Sequence, residues 1–148
     1  MQRMMFLLLT LALAACGKYS KDEMAQQDKA FGLMMEAHDR AMPRMGEIEA
    51  VSGQLRTVMA DSTTTDSLKA VILKGLERLE KADDGMMSWM AELKTVEQVR
   101  ENMDHAAIME YYKNEETKIK IIENDIAGSI SNGQALLDAL KAPQSGGQ

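Results

Sequence analysis

The chain is poor in the residues on which many functional assignments rest. One cysteine, Cys16, stands among 148 residues. A lone thiol closes no disulfide within the chain and leaves no thiolate metal cluster or C-x-x-C redox pair. Two prolines, Pro43 and Pro143, and ten glycines are too few for the many turns of an all-β chain, and no period-two alternation bounded by hairpin turns occurs. Aromatic residues are limited to two phenylalanines, one tryptophan and three tyrosines. The two histidines, His38 and His105, are preceded three residues earlier by Met35 and Asn102. The Glu-x-x-His pairs of di-iron bundles are therefore absent. His-Glu-x-x-His, Gly-x-Ser-x-Gly and phosphate-cradling glycine loops are missing as well. These absences point away from an enzyme. No run reaches the about 20 apolar residues that cross a bilayer.

What is present begins at the N-terminus. Met4 to Leu13 is an uncharged apolar run, preceded by Arg3 and followed by Ala14-Ala15. It is too short to span a membrane but has the parts of a signal peptide: a positive start, an apolar core and small residues before a cut. Leu13-Ala14-Ala15-Cys16 resembles the lipobox of bacterial lipoproteins, with every position matched. The resemblance implies that Cys16 becomes the first residue of the mature chain and carries diacylglyceryl and N-acyl groups such as palmitate. The competing reading is an ordinary secretory signal with an unrelated cysteine. One acyl chain binds a bilayer only marginally, at about 0.8 kcal/mol per buried CH₂, whereas two or more anchor it stably. Gly17 stands where many inner-membrane lipoproteins carry Asp, which favours the outer membrane. Lys21-Asp22-Glu23 resembles the surface-export signal of Bacteroidota lipoproteins, so either the periplasmic face or the cell surface is open.

Removing residues 1–15 takes away Arg3 and leaves 16 basic against 23 acidic residues, a net charge of −7. That length suits one domain. The acidic balance excludes nucleic acid as a partner, which needs clustered Lys and Arg. Methionine is abundant, 14 in the whole chain.

The rest of the chain reads as helix. Gly17 to Asp22 is a polar tether after Cys16. From Glu23 to Ala60, Phe31, Met34, His38, Ala41, Met45, Ile48, Ser52, Leu55 and Met59 recur in steps of three and four, one stripe of a helix close to a strict heptad. Pro43 interrupts it without a change of phase, which predicts one bent helix or two nearly collinear ones. Asp61 to Asp66 is a turn rich in N-cap residues. A second helix is predicted from Asp66 to Leu93 or Glu97, with Leu68, Ile72, Leu76, Leu79, Met86, Met90 and Leu93 inward. A second turn falls within Lys94–Glu101. A third helix runs from Arg100–Met103 to Lys141 on Ile108, Tyr112, Ile119, Ile122, Ile126, Ile130, Leu137 and Leu140. The expected architecture is all-α, an elongated antiparallel three-helix bundle with coiled-coil-like packing. A helical hairpin that dimerises into four helices is the alternative. The organisation is a signal peptide at 1–15, a lipidated tether at 16–22, a bundle at 23–141 and a flexible tail at 142–148.

One level of this bundle concentrates unusual side chains. With turns centred at residues 63 and 98, His38 lies opposite residue 88, and residue 88 opposite residue 108. The level then gathers Met34, His38 and Met42, Met86, Trp89 and Met90, and His105, Ile108 and Met109. Thioether and imidazole ligands suit Cu(I). The metal reading takes His38, Met34, Met42, Met86, Met90 and Met109 as ligands, with the Trp89 indole against the ion. The plainer reading makes methionine an adaptable core filler, His38 a core histidine bonded to Asp83 or Asp84, and Trp89 the large core residue. Asp83-Asp84 and Glu115-Glu116 are adjacent on helices and point about 100° apart, so neither pair is a ready-made acid–base dyad. A solvated face explains most of these charges.

Three further segments extend the resemblance: His38-Asp39-x-x-Met42-Pro43-x-Met45, Ala82-Asp83-Asp84-x-Met86-Met87-x-Trp89-Met90, and Ser129-Ile130-x-x-Gly133-Gln134-Ala135-Leu136-Leu137. They resemble a group of small methionine-rich helical lipoproteins of Bacteroidota, some labelled viral A-type inclusion protein. The resemblance implies a helical fold and an envelope location and brings no activity. The expected function is a non-enzymatic scaffold or interaction role on the membrane, with no cofactor and an envelope protein as partner. The alternatives are a copper-binding lipoprotein and a subunit of a larger envelope complex, for which Met24, Met35, Met87 and Met103 could supply a sticky surface.

Overall fold

A computed structural model describes residues 18–141. The predicted signal peptide at 1–15, the predicted lipidation site Cys16, Gly17 and the predicted tail at 142–148 lie outside the described residues. Among those described, every element is a helix.

The first predicted helix is two, joined by one tight turn. α1 spans Lys21–Ala41, a 3₁₀ turn covers Met42–Arg44, and α2 spans Met45–Ala60. Ser20 starts α1 through a capping box: its hydroxyl accepts from the Glu23 N–H, and the Glu23 carboxylate accepts from the Ser20 N–H at 2.8 Å. Pro43 is the second residue of the 3₁₀ turn, within the first turn where its missing N–H costs least. Ala41, Met42, Arg44 and Met45 all keep right-handed helical angles. The apolar stripe therefore crosses the proline in phase, and Met34, Ala41, Ile48, Ser52 and Leu55 are all buried.

The turn after α2 is built by side chains. Asp61 accepts from the backbone N–H and the hydroxyl of Thr63 at 2.8 and 2.7 Å, and the Thr64 hydroxyl donates to the Val58 carbonyl. Thr65 caps α3, Asp66–Glu92, accepting from the Leu68 N–H. The second connection holds more structure than a turn. α4, Val96–Asn102, begins at a capping box between Thr95 and Gln98 and buries Val99. α5, His105–Lys141, follows, with Asp104 accepting from the Ala107 N–H.

The core runs the length of α5, which touches α1, α2 and α3. Contacts at successive levels give the directions. Gln27 meets His105, Phe31 meets Tyr112 and Arg40 meets Glu123, so α1 runs with α5. Trp89 meets Glu115, and Gly75 lies against Leu136, so α3 runs against it. Met34, Leu55, Ile72, Leu79, Met86, Ile108, Ile119 and Ile126 are wholly buried between them. Each such side chain contributes about 1.5–3 kcal/mol relative to exposure.

Candidate functional site

The His38 level forms, but with different neighbours from those the spacing predicts. His38 and Trp89 do meet: their ring centroids are 5.7 Å apart with the planes tilted by 33°. Met34 and Met86 are fully buried in the same core, and Met42 and Met90 pack half-buried against it. From α5, however, Trp89 meets Glu115 and the Gly85 position faces Ile122. His105, Ile108 and Met109 belong to a lower level. Met109 lines a groove between α1 and α5 with Ala30, Leu33 and Lys113. His105 places its Nδ1 3.3 Å from the Gln27 side-chain nitrogen. The displacement is about seven residues, or about 10 Å at 1.5 Å per residue. α4 fills the connection, and α5 starts about two turns beyond the level where α3 ends, since Trp89 near the end of α3 meets Glu115, ten residues into α5.

His38 itself is poised between core and solvent, its side chain 17% exposed. Its Nδ1 faces the Asp39 carboxylate at 3.0 Å. Asp83 and Asp84 are not its partners. They line the groove between α2 and α3 with Glu49 and Glu80. Of the expected ligands, Met34 and Met86 are buried in the core, Met42 and Met90 pack against it and His38 borders it beside Trp89, whereas Met109 lines the groove between α1 and α5. Among the described residues no three His, Cys, Asp or Glu side chains are grouped to hold an ion, so any metal there would depend on thioethers.

Trp89 is the large core residue of this level, and its indole N–H donates to Glu115 Oε2 at 2.9 Å. Glu115 is buried to 7% exposure, and its other oxygen accepts from Lys118 at 2.7 Å. The ammonium carries the charge of the pair out to solvent, and the carboxylate holds the Lys118 pKa above its ordinary value. Glu115 is thus a core acceptor and not part of a solvated face with Glu116. The sequence holds the signal: Ile108, Tyr112, Glu115 and Ile119 follow the same four-three-four spacing.

A second buried polar group lies near the start of the fold. Gln27 is 1% exposed. Its carbonyl accepts from Arg100 Nε at 2.9 Å, and Arg100 Nη2 donates to Asp28 at 2.6 Å. Eight and nine residues before Gln27, the chain entering the fold is tied down. Lys18 donates to the carbonyls of Arg100 and Glu101 at 2.8 and 2.9 Å, and the Tyr19 hydroxyl contacts the carbonyls of Arg100 and Met103. These are the last carbonyls of α4, which lack helical partners and carry the negative end of the helix dipole. Lys18 and Tyr19 therefore cap α4 from another part of the chain. Residue patterns along α1 hold no signal for this, because the acceptors are backbone atoms about 80 residues away.

No helix among the described residues is long and apolar enough to cross a membrane. Compared with known proteins, the chain matches no family model, no curated protein and no solved structure.

Proposed function

We propose that the chain is a lipid-anchored protein of the cell envelope, held on the outer membrane by acylated Cys16 and serving a non-enzymatic scaffold or interaction role. The observation that carries this reading is Leu13-Ala14-Ala15-Cys16 placed immediately before the helical body. The finer architecture proposed with it is an elongated antiparallel three-helix bundle with coiled-coil-like packing. α1 and α2 act as one long member beside α3 and α5.

The tie at Lys18 and Tyr19 supports a close, oriented attachment. Only Gly17 separates Cys16 from Lys18, and two extended residues span at most about 7 Å. A lipid on Cys16 then sets the α4 end of the molecule against the bilayer. The turn between α2 and α3 points away from it, because α1 and α2 both lead outward from that end. Partners would be met along the helices or at the distal turn, not through the anchor.

Replacing Cys16 by Ser tests the reading. Wild type is expected to incorporate labelled palmitate and to sediment with membranes in high salt, and Cys16→Ser to lose both. Cys16→Ser that still sediments with membranes and still takes up label would overturn it.

A copper-binding lipoprotein is the second reading. On its side stands the ring pair of His38 and Trp89 at 5.7 Å, flanked by Met34 and Met42 one turn to either side. The residues that would hold Cu(I) are His38, Met34, Met42, Met86 and Met90. Titration of wild type and His38→Ala with Cu(I) decides it: equal or absent binding sinks the reading.

A further inference from the structure

Between Lys74 and Asp84 the solvent side of α3 is divided lengthwise by charge. On the flank toward α5, Lys74, Arg78 and Lys81 line the groove that α3 forms with that helix. On the flank toward α2, Glu80, Asp83 and Asp84 line a groove with Glu49, four acids against the single cation Arg56. The spacing explains the division: residues 74, 78 and 81 fall on one side of the helix, and 80, 84 and 87 on the other. Lys74, Arg78, Lys81, Glu80 and Asp84 are all exposed, and among the described residues none of them forms an ion pair. α3 also carries three of the six large exposed hydrophobic residues, Val71, Leu73 and Met87. Val71 lies on the basic flank, and Leu73 and Met87 on the acidic one.

We propose that this face of α3 is a docking surface for a second copy of the same chain, with the two α3 helices side by side and parallel. The charge division selects the direction. In a parallel pair related by a two-fold axis along the helices, the basic flank of each copy faces the acidic flank of the other. In an antiparallel pair, like flanks meet, and facing like charges is repulsive. Val71 of one copy then comes near Leu73 of the other, adding apolar area to the charge pairing. A self-complementary patch of this kind makes closed dimers. Exposed charge pairs are weak singly, about 0.2–1 kcal/mol, so the contact suits copies already concentrated on one surface. That concentration rests on the lipid anchor, which would hold all copies the same way up. The pairing itself does not need the anchor.

The test uses the full chain in detergent solution, mixed as ¹⁴N and ¹⁵N copies and treated with a carbodiimide, which joins amines to carboxylates in contact. Mixed-isotope links from Lys74 or Lys81 to Glu77, Glu80, Asp83 or Asp84 are expected at about 0.01 M ionic strength. They should vanish near 1 M, where the Debye length falls from about 30 Å to about 3 Å. Two variants give the complement: Lys74→Glu/Arg78→Glu/Lys81→Glu and Glu80→Lys/Asp83→Lys/Asp84→Lys. Each alone is expected to associate at least about tenfold more weakly than wild type in sedimentation, and the mixture of the two to recover association. Circular dichroism on each variant checks that the helices persist. Links confined to one isotope, mixed links from these lysines only to acids outside α3, or a variant mixture that stays monomeric would overturn the proposal. Cys16→Ser protein is tested alongside: if it still sediments with membranes while wild type pairs, the anchor fails and the interface stands, and if it leaves the membrane while wild type shows no mixed links, the interface fails and the anchor stands.

Discussion

At the scale of single residues, the molecule depends on a few buried polar groups that are fully partnered, and among the described residues no buried side-chain nitrogen or oxygen lacks a partner. Glu115 is the sharpest case, since it satisfies the Trp89 indole from within the core. Glu115→Leu leaves that N–H without an acceptor and is expected to cost about 1–3 kcal/mol in urea unfolding. Glu115→Gln keeps an acceptor and should cost less. The Arg40 guanidinium grips Glu123 with two hydrogen bonds at 2.8 and 2.9 Å and holds its carboxyl below the ordinary value of 4.5. The Ser20 backbone N–H does the same for Glu23. A depressed folded-state pKa contributes stability that is present above the unfolded-state value and is lost as pH falls through the folded value. Stability is therefore expected to decline as pH drops below about 4.5, the ordinary carboxyl value in these two cases. Arg40→Ala should flatten part of that decline while lowering stability only slightly at neutral pH, since the pair is solvent-exposed. Denaturation midpoints measured across the acid range check both. The sequence expectation sets Glu115 on a solvated face and starts the first stripe at Phe31, one turn after Gln27, although both residues continue the helical spacing of the stripes. That they are buried follows from spacing, but their partners sit on other helices.

At the scale of elements, one contact is closer than a side chain allows. A Cβ on Gly133 would lie 2.6 Å from Val51 Cγ1 and 3.4 Å from Leu79 Cδ1. Gly133→Ala is therefore expected to cost about 1–3 kcal/mol by overpacking, and Val51→Ala combined with it should recover part of that loss. Gly53 has nothing within 4 Å of its would-be Cβ. Gly53→Ala should gain up to about 1 kcal/mol from helix propensity alone. Thermal unfolding of the three variants separates packing from propensity. The helices themselves were legible because their apolar residues recur at helical spacing, and the phase across Pro43 was kept because the 3₁₀ turn accepts proline within its first two positions. α4 was not legible as a separate helix. Its seven residues bury only Val99, too little to show as a stripe. That short helix fills the connection before α5, and Met109 lies away from His38. Tyr19→Phe removes hydrogen bonds to the end of α4 and is expected to speed amide exchange in residues 96–103, with little effect on the cores of α3 and α5. Hydrogen exchange followed by mass spectrometry reads this directly.

At the scale of the whole molecule, one end holds the entering chain, α4 and the start of α5, and the other holds the α2–α3 turn. α5 alone is 37 residues, about 55 Å long. On the anchored reading, a fluorophore at Asn102→Cys should transfer energy efficiently to acceptors among lipid headgroups, and one at Ser62→Cys weakly. Equal transfer from both would mean that the helices lie flat on the bilayer. By itself the amino-acid sequence determined the helical class, the inward stripes, the proline crossing and the place of Cys16. All of these depend on spacing within one segment or on a contiguous motif. The tertiary structure decided which levels meet, that Glu115 serves Trp89, that His38 pairs with Asp39 while its ring meets Trp89, and that Lys18 and Tyr19 close α4. Those outcomes depend on the length of one connection and on backbone acceptors far away in the chain, and neither leaves a periodic trace in the residues.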